Sequence, residues 1–252
     1  KEVLERAIST LLKRHDSLRM CFKNIEGSPI VELIPEYSAL KYYEIEEFEE
    51  EIRKQQLTDI YKEHQEEIFI LENGELLSIR LLKLNNDDWT ILFNIHHIIS
   101  DGWSMGIMIR ELTELYQSYL YDEPVSLAEL PIQYQDYSIW QQKWLKHENR
   151  KIQLEYWKKQ LSNAPELLEL PTDRPRPARI TFNGSNFSTT LSPELTEQIR
   201  EICSQENISL YMAMLAAFSL LLSRYSGQDD ICLGSPIANR TNSQLENLIG
   251  FF

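Results

Sequence analysis

The residues best suited to chemistry stand together in Ile95-His96-His97-Ile98-Ile99-Ser100-Asp101-Gly102-Trp103-Ser104. Two adjacent imidazoles, an aspartate four residues after the second and a glycine directly behind it are the parts of a proton-transfer site. Histidine titrates near neutral pH, which suits it to take or return a proton at a reacting centre, and a nearby carboxylate can orient its ring. General acid/base work at His97, with Asp101 as orienting partner, is the reading these residue types support best. A metal centre fits poorly, because adjacent strand histidines diverge and no cysteine or third histidine stands at ligand spacing. A Ser-His-Asp hydrolase is expected to fit poorly as well, on the reading that the chain has no Gly-x-Ser-x-Gly nucleophile elbow, a reading the letters of residues 102–106 contradict. The plain alternative, two histidines satisfied inside a core, stays open at this point.

The flanking elements must position these groups. From Trp89 to His97 the spacing predicts a strand, with Trp89, Ile91, Phe93, Ile95 and His97 on one face and Thr90, Leu92, Asn94 and His96 on the other. His97 would then close an apolar row, with His96 pointing the opposite way. A helix is predicted from about Ser104, where Met105, Met108, Ile109, Leu112, Leu115, Tyr116 and Tyr119 recur at helical spacing. Ser104 would be its N-cap, and Gly102 would allow a sharp strand-to-helix turn.

Composition sets outer bounds. The 252 residues suffice for one large or two modest domains with a buried core. The formal charge of -14, from 39 acidic and 25 basic residues, argues against a nucleic-acid or anionic-membrane surface. The acidic run Glu44 to Glu51 reads as a solvated helix face. Cys21, Cys203 and Cys232 are too few and too scattered for a disulfide framework or metal cluster. With neither a signal peptide nor a long apolar span, a soluble cytoplasmic protein is expected.

Along the chain, residues 2 to 13 predict an amphipathic helix and Leu18 to Phe22 a strand with Arg19 off the apolar face. For Arg19 a surface position is the plain reading; a buried one would require an acid, for which Asp101 is a candidate. A turn at Glu26-Gly27-Ser28-Pro29 leads into a second strand, residues 30 to 34. Residues 46 to 65 read as a charged helix, and Leu76 to Leu84 as a strand turning at Asn85-Asn86-Asp87-Asp88 into the histidine strand. Tyr134, Tyr137, Trp140 and Trp144 recur at helical spacing in a stretch reaching about Leu161, a pattern of core packing rather than of a ligand box. Prolines 165, 171, 175 and 177 rule out a long helix or central strand. The expected organisation is an N-terminal lobe over 1–165, a Pro-rich linker over 166–186 and a partial C-terminal lobe over 187–252. Ser192-Pro193 predicts a helix to about Gln205, and Ser209 another to Tyr225 that is apolar nearly all round and hence buried. Asp230 to Ser235 reads as a strand.

Five blocks in this order resemble one family, the condensation domains of nonribosomal peptide synthetases, within the superfamily that includes chloramphenicol acetyltransferase. The family's His-His-x-x-x-Asp-Gly is His96, His97, Asp101 and Gly102, continued by Trp103 and Ser104. Its Arg-His-x-x-Leu-Arg-x-x-Phe is Arg14, His15, Leu18, Arg19 and Phe22, with Asp16 where Glu is common. Its Tyr-x-Asp-(Phe/Tyr)-x-x-Trp is Tyr134, Asp136, Tyr137 and Trp140. Leu170 to Pro177 and Gly234 to Arg240 supply two more blocks, and residues 249–252 match the start of the next. The family's N-terminal Ser-x-Ala-Gln-x-Arg motif and everything past Phe252 are missing, so truncation at both ends is expected. Heterocyclising relatives carry Asp-x-x-x-x-Asp in place of the histidines, and epimerising ones differ around the motif, so simple condensation is preferred.

The resemblance implies an α/β fold of two chloramphenicol acetyltransferase-like lobes in a V, with the active site between them. It implies an enzyme that joins a donor acyl or peptidyl thioester to an acceptor aminoacyl thioester as an amide. Its partners would be an upstream donor and a downstream acceptor carrier domain, with an adjacent adenylation domain. It would bind no cofactor itself, the 4′-phosphopantetheine arms arriving on the carriers. His97 would be the catalytic residue, by proton removal, amine positioning or stabilisation of the tetrahedral intermediate. His96, Asp101, Gly102 and Arg19 would shape the site: Asp101 through a salt bridge to Arg19, Gly102 by leaving room for a pantetheine arm. Trp103 and Ser104 are candidates for the substrate channel, lobe packing being the plainer role for Trp103. A stand-alone acyltransferase of the same superfamily and a non-catalytic recruitment domain are the alternatives.

Overall fold

Leu4, Ala7, Ile8, Leu11 and Leu12 fall on one stripe of the first helix, α1 (Glu2–Arg14), and all five are buried. The computed structural model describes residues 1–45, 50–146, 148–179, 181 and 184–252. Positions 46–49 of the expected charged helix, and 180 and 182–183 of the expected linker, lie outside the described residues. The described chain forms two compact units, Lys1–Asn149 with Ile237–Phe252, and Arg150–Pro236. The last stretch therefore belongs with the N-terminal unit, whereas the sequence placed it in a C-terminal lobe.

In the first unit, β3 (Leu40–Glu44), α2 (Glu50–Gln65) and β4 (Leu77–Lys83) make a parallel crossover, and β5 (Trp89–Ile95) pairs antiparallel on the far side of β4. A parallel pair cannot be joined by a tight turn, which is the job α2 does here. β4 is central and buried from Leu77 to Leu82. Leu77, Ile79 and Leu81 share a core with α1 and with Ile107, Met108, Leu112 and Leu115 of α3 (Gly102–Leu120). Each such side chain, fully buried, contributes about 1.5–3 kcal/mol. The other face of β4 meets α2, where Arg80 donates to the Ile60 carbonyl at 3.2 Å and to Glu63 at 3.2 Å. A separate hairpin, β1 (Met20–Ile25) and β2 (Ser28–Leu33), turns on Glu26 and Gly27. Both have positive φ, 52° and 82°, as a two-residue turn matching strand twist requires.

A buried carboxylate is set into this packing. Glu111 of α3 is 1% exposed, bonds the His15 ring at 2.8 Å and pairs with Arg14 Nε at 3.0 Å. Burial pushes the Glu111 carboxyl up, but the His15 hydrogen bond and the charge of Arg14 outweigh it and hold the carboxyl below its ordinary value. A lowered folded-state value stabilises the protein above the unfolded carboxyl value, about 4.3, and that contribution fades as pH falls through the folded value. Glu111→Gln is therefore expected to unfold more easily than wild type at pH 7, the difference shrinking below about pH 4.3. Urea unfolding midpoints across pH 3–8 check this, and a pH-independent difference would contradict it.

α4 (Tyr134–Leu145) lies in the first unit and α5 (Glu148–Gln160) follows it, two helices over the helical stretch expected from Tyr134 to about Leu161. In the second unit α6 (Pro193–Gln205) and α7 (Leu210–Ser226) start at Ser192 and Ser209, whose side chains accept from the third residue on. The expected burial of α7 is not seen. Within the described residues Met212, Phe218 and Leu221 are about half exposed and Leu222 alone of the helix is buried, with α6 packed against it. Residues 230–235, expected as a strand, are extended without a ladder partner among the described residues. No single described helix is long and apolar enough to cross a membrane.

Candidate active site

β5 ends at Ile95, two residues earlier than its alternation suggested, and the chain then bends through a 3₁₀ turn, His97–Ile99. His96 makes the bend. Its backbone N–H still donates to the Leu76 carbonyl at 2.9 Å, while its Nδ1 accepts from Ile98 N–H at 3.0 Å and caps the turn. With Nδ1 accepting, a neutral His96 carries its proton on Nε2. The two imidazoles part because of this turn, not because of strand alternation, and His97 is exposed where His96 is half-buried. His97 does not close a buried row either, since Trp89 and Ile91 on its strand face are exposed, at an uncovered sheet edge.

Asp101 is the N-cap of α3, so the helix begins at Gly102 rather than at Ser104. Its Oδ1 accepts from Ser104 N–H and from Ser104 Oγ, both at 2.8 Å. The carboxylate turns away from His97 and meets Arg240. Arg240 Nη1 donates to Oδ2 at 2.9 Å and Nη2 to Oδ1 at 3.1 Å, a two-pronged pair in which Arg240 is 2% exposed and Asp101 15%. Burial pushes the Asp101 carboxyl up, but Arg240 and the Ser104 donors outweigh that and hold it below its ordinary value. Asp101 is thus built to stay ionised and does not orient the His97 ring.

The expected Asp101–Arg19 bridge is replaced by this pair. Arg19 lies in a 3₁₀ turn, Asp16–Arg19, and bonds Asp16 at 2.7 Å and the Leu12 carbonyl at 2.9 Å. It locks the end of α1 rather than the histidine loop. Arg240 was missed because 139 residues separate it from Asp101. The available signal was only that Arg240 closes the Gly234–Arg240 block; nothing local ties it to Asp101.

Ser104, a channel candidate in the sequence, is enclosed by its neighbours. It is 0% exposed, its proton lies within reach of Asp101 Oδ1 and Gly250 O, and its oxygen accepts from Gly250 N–H at 3.0 Å and Arg240 Nη2 at 3.0 Å. Gly102-Trp103-Ser104-Met105-Gly106 has the letters of a hydrolase motif, but a serine this enclosed is no nucleophile. Trp103 is half exposed and donates its indole N–H to the Glu246 carbonyl at 3.0 Å. Around Gly102 there is open space, with nothing within 4 Å of where a Cβ would stand.

Residues 248–252 are thereby fastened to the loop. Besides the Ser104 bonds to Gly250, Tyr134 Oη donates to the Phe251 carbonyl at 2.6 Å and Phe252 N–H reaches Asp101 Oδ2 at 3.4 Å. Tyr134 and Tyr137 of α4 pack their rings on Phe252, with centroids 5.2 and 4.6 Å away, and its other side lies 4.2 Å from the Arg240 guanidinium. A methyl at Gly250 would collide with the Tyr134 ring, so glycine is required there for close approach. Two of the α4 aromatics do pack a core, as expected, though Trp140 is half exposed.

The family model for the condensation domain matches residues 1–252. The chain is 41% identical over 252 residues to one of the linear gramicidin synthase proteins of Brevibacillus parabrevis, covering 100% of this chain and 5% of that protein. Among solved structures, the X-domain from teicoplanin biosynthesis superposes with a TM-score of 0.85 at 24% identity, over 100% of this chain and 56% of its own. The SgcC5 protein from Streptomyces globisporus superposes with a TM-score of 0.79 at 25% identity, again over 100% of this chain and 56% of its own. The chain belongs to the condensation-domain family and has its α/β fold. It spans a few per cent of the length of the curated relatives it matches.

Proposed function

We propose that this chain is the part of a condensation domain that carries the catalytic histidine, and that it forms an amide between a donor acyl or peptidyl thioester and an acceptor aminoacyl thioester. The observation that carries the reading is the division of labour in the motif. Asp101 is consumed by Arg240 and His96 by its own turn, which leaves His97 exposed with both ring nitrogens unengaged among the described residues. In the reaction the acceptor amine attacks the donor carbonyl carbon, the C–S bond breaks and the departing sulfur ends as a thiol. A neutral imidazole beside the amine accepts its proton or donates to the developing oxyanion. Both substrates would arrive as thioesters on the 4′-phosphopantetheine of carrier domains, upstream and downstream. The open space at Gly102 suits a slender arm, and the half-exposed Trp103 would stand beside its path. An adjacent adenylation domain would supply the acceptor.

The test uses the synthetase segment that contains this chain, with a loaded donor carrier and a loaded acceptor carrier, and follows chain transfer by intact-protein mass. Transfer to the acceptor carrier is expected, with free coenzyme A thioesters far poorer donors. Equal use of coenzyme A thioesters would instead favour a stand-alone acyltransferase, and no transfer from any donor would favour a recruitment domain.

A further inference from the structure

If Asp101 does not orient His97, something else must. The His97 ring is exposed and makes no side-chain hydrogen bond among the described residues, so its two torsions would otherwise be free. Among the described residues its one ring neighbour is Phe251, with centroids 5.1 Å apart and planes at 80°, an edge-to-face contact. Phe251 is itself half exposed, yet its backbone is held on every side. Gly250 before it is bonded in both directions to Ser104, its own carbonyl takes the Tyr134 hydroxyl, and Phe252 after it reaches Asp101. The groups that Asp101 and Ser104 organise therefore hold the ring that touches the imidazole.

We infer that Phe251 is a positioning residue for His97, and that the Asp101–Arg240–Ser104 cluster acts on the imidazole through it. The inference rests on His97 being the working residue. An edge-to-face contact of this kind favours one ring orientation. It leaves both ring nitrogens free of protein partners, which a carboxylate bond to the ring would not. Phe251 touches no reacting atom in this scheme. Its effect is on where the nitrogen stands, to which proton transfer is sensitive.

The experiment compares Phe251→Leu, which keeps bulk and loses the ring, with Phe251→Tyr, which keeps the ring, in the carrier-to-carrier assay and by NMR of ¹³C-labelled histidine rings. The chain has 5 histidines, and the His97 signal is the one lost in His97→Ala. Phe251→Leu is expected to shift the His97 ring resonances and lower the transfer rate by roughly two- to tenfold, with Tm and the apparent KM for the acceptor unchanged, and Phe251→Tyr to restore both. Unmoved His97 resonances in Phe251→Leu would overturn the inference. So would shifted resonances with an unchanged rate while His97→Ala is inactive. If His97→Ala is fully active, the catalytic reading of His97 fails, and the resonances alone then decide whether Phe251 sets the ring.

Discussion

His97→Ala is expected to lower the rate of carrier-to-carrier amide transfer by about 10²–10⁴-fold, the usual contribution of a positioned general acid or base, with the melting temperature unchanged. The two halves of this expectation come from separate observations. The imidazole is exposed and touches one ring, so its removal leaves no cavity and no orphaned donor. Its two neighbours in the motif are already committed, one to its own turn and the other to Arg240, and neither can replace it. His97→Gln is expected to retain more activity than His97→Ala if hydrogen bonding to the oxyanion is its main role, and no more if proton transfer is. Single-turnover transfer rates at saturating carrier, with Tm from the same preparations, decide both points. A rate within twofold of wild type would remove His97 from the mechanism.

Arg240→Met is expected to destabilise the protein by about 3 kcal/mol, the low end of the range for breaking a buried pair, because Asp101 keeps 15% of its side-chain exposure and some access to water. Most of that cost lies in the abandoned carboxylate, so adding Asp101→Asn to Arg240→Met should return part of it. Arg19→Met serves as the contrast. Arg19 and Asp16 are 19% and 24% exposed, and an ion pair of that kind contributes about 1 kcal/mol or less. The decisive quantity is coupling to Asp101: Arg240 should show it in a double-mutant cycle and Arg19 should not. Because the Asp101 carboxyl sits below its ordinary value, the Arg240 contribution is present near neutral pH and is lost as pH falls through that lowered value. A coupling between Arg19 and Asp101 as large as that with Arg240 would show that the Asp101–Arg240 pairing is wrong. Loss of transfer activity should accompany the loss of stability in Arg240→Met, since the same cluster fastens residues 250–252.

Local signals in the chain suffice where one segment decides its own structure. α1 needs only its apolar stripe, the β1–β2 hairpin needs only Glu26-Gly27, and α6 and α7 announce themselves through Ser192-Pro193 and Ser209. His97 stood out for the same reason, as a titratable group at a strand-to-helix turn. Other expectations failed where the answer lay outside the segment. Apolar residues nearly all round α7 promise burial only where other elements cover all its sides, and among the described residues Leu222 alone of the helix is buried. The 230–235 stretch has strand-forming residues, but a strand requires a ladder partner.

At the site the division runs within a single motif. Its order of His96, His97, Asp101 and Gly102 placed an imidazole at a turn before a helix, whereas the exposure of that ring, expected to close a buried row, came only with the tertiary structure. That the strand stops at Ile95, that His96 caps the bend, and that Asp101 caps α3 are also local events, though alternation alone misplaced them by two residues. Which arginine neutralises Asp101 was decided only in three dimensions. Arg19 and Arg240 are alike as side chains, and nothing in their spacing distinguishes them. Burial of the helix start against residues 248–252 does, because it brings Arg240 to 2.9 Å from the carboxylate and leaves Arg19 with Asp16. Phe251 reached the His97 ring by the same packing, since long-range contacts are set by which surfaces exclude water together and not by distance along the chain.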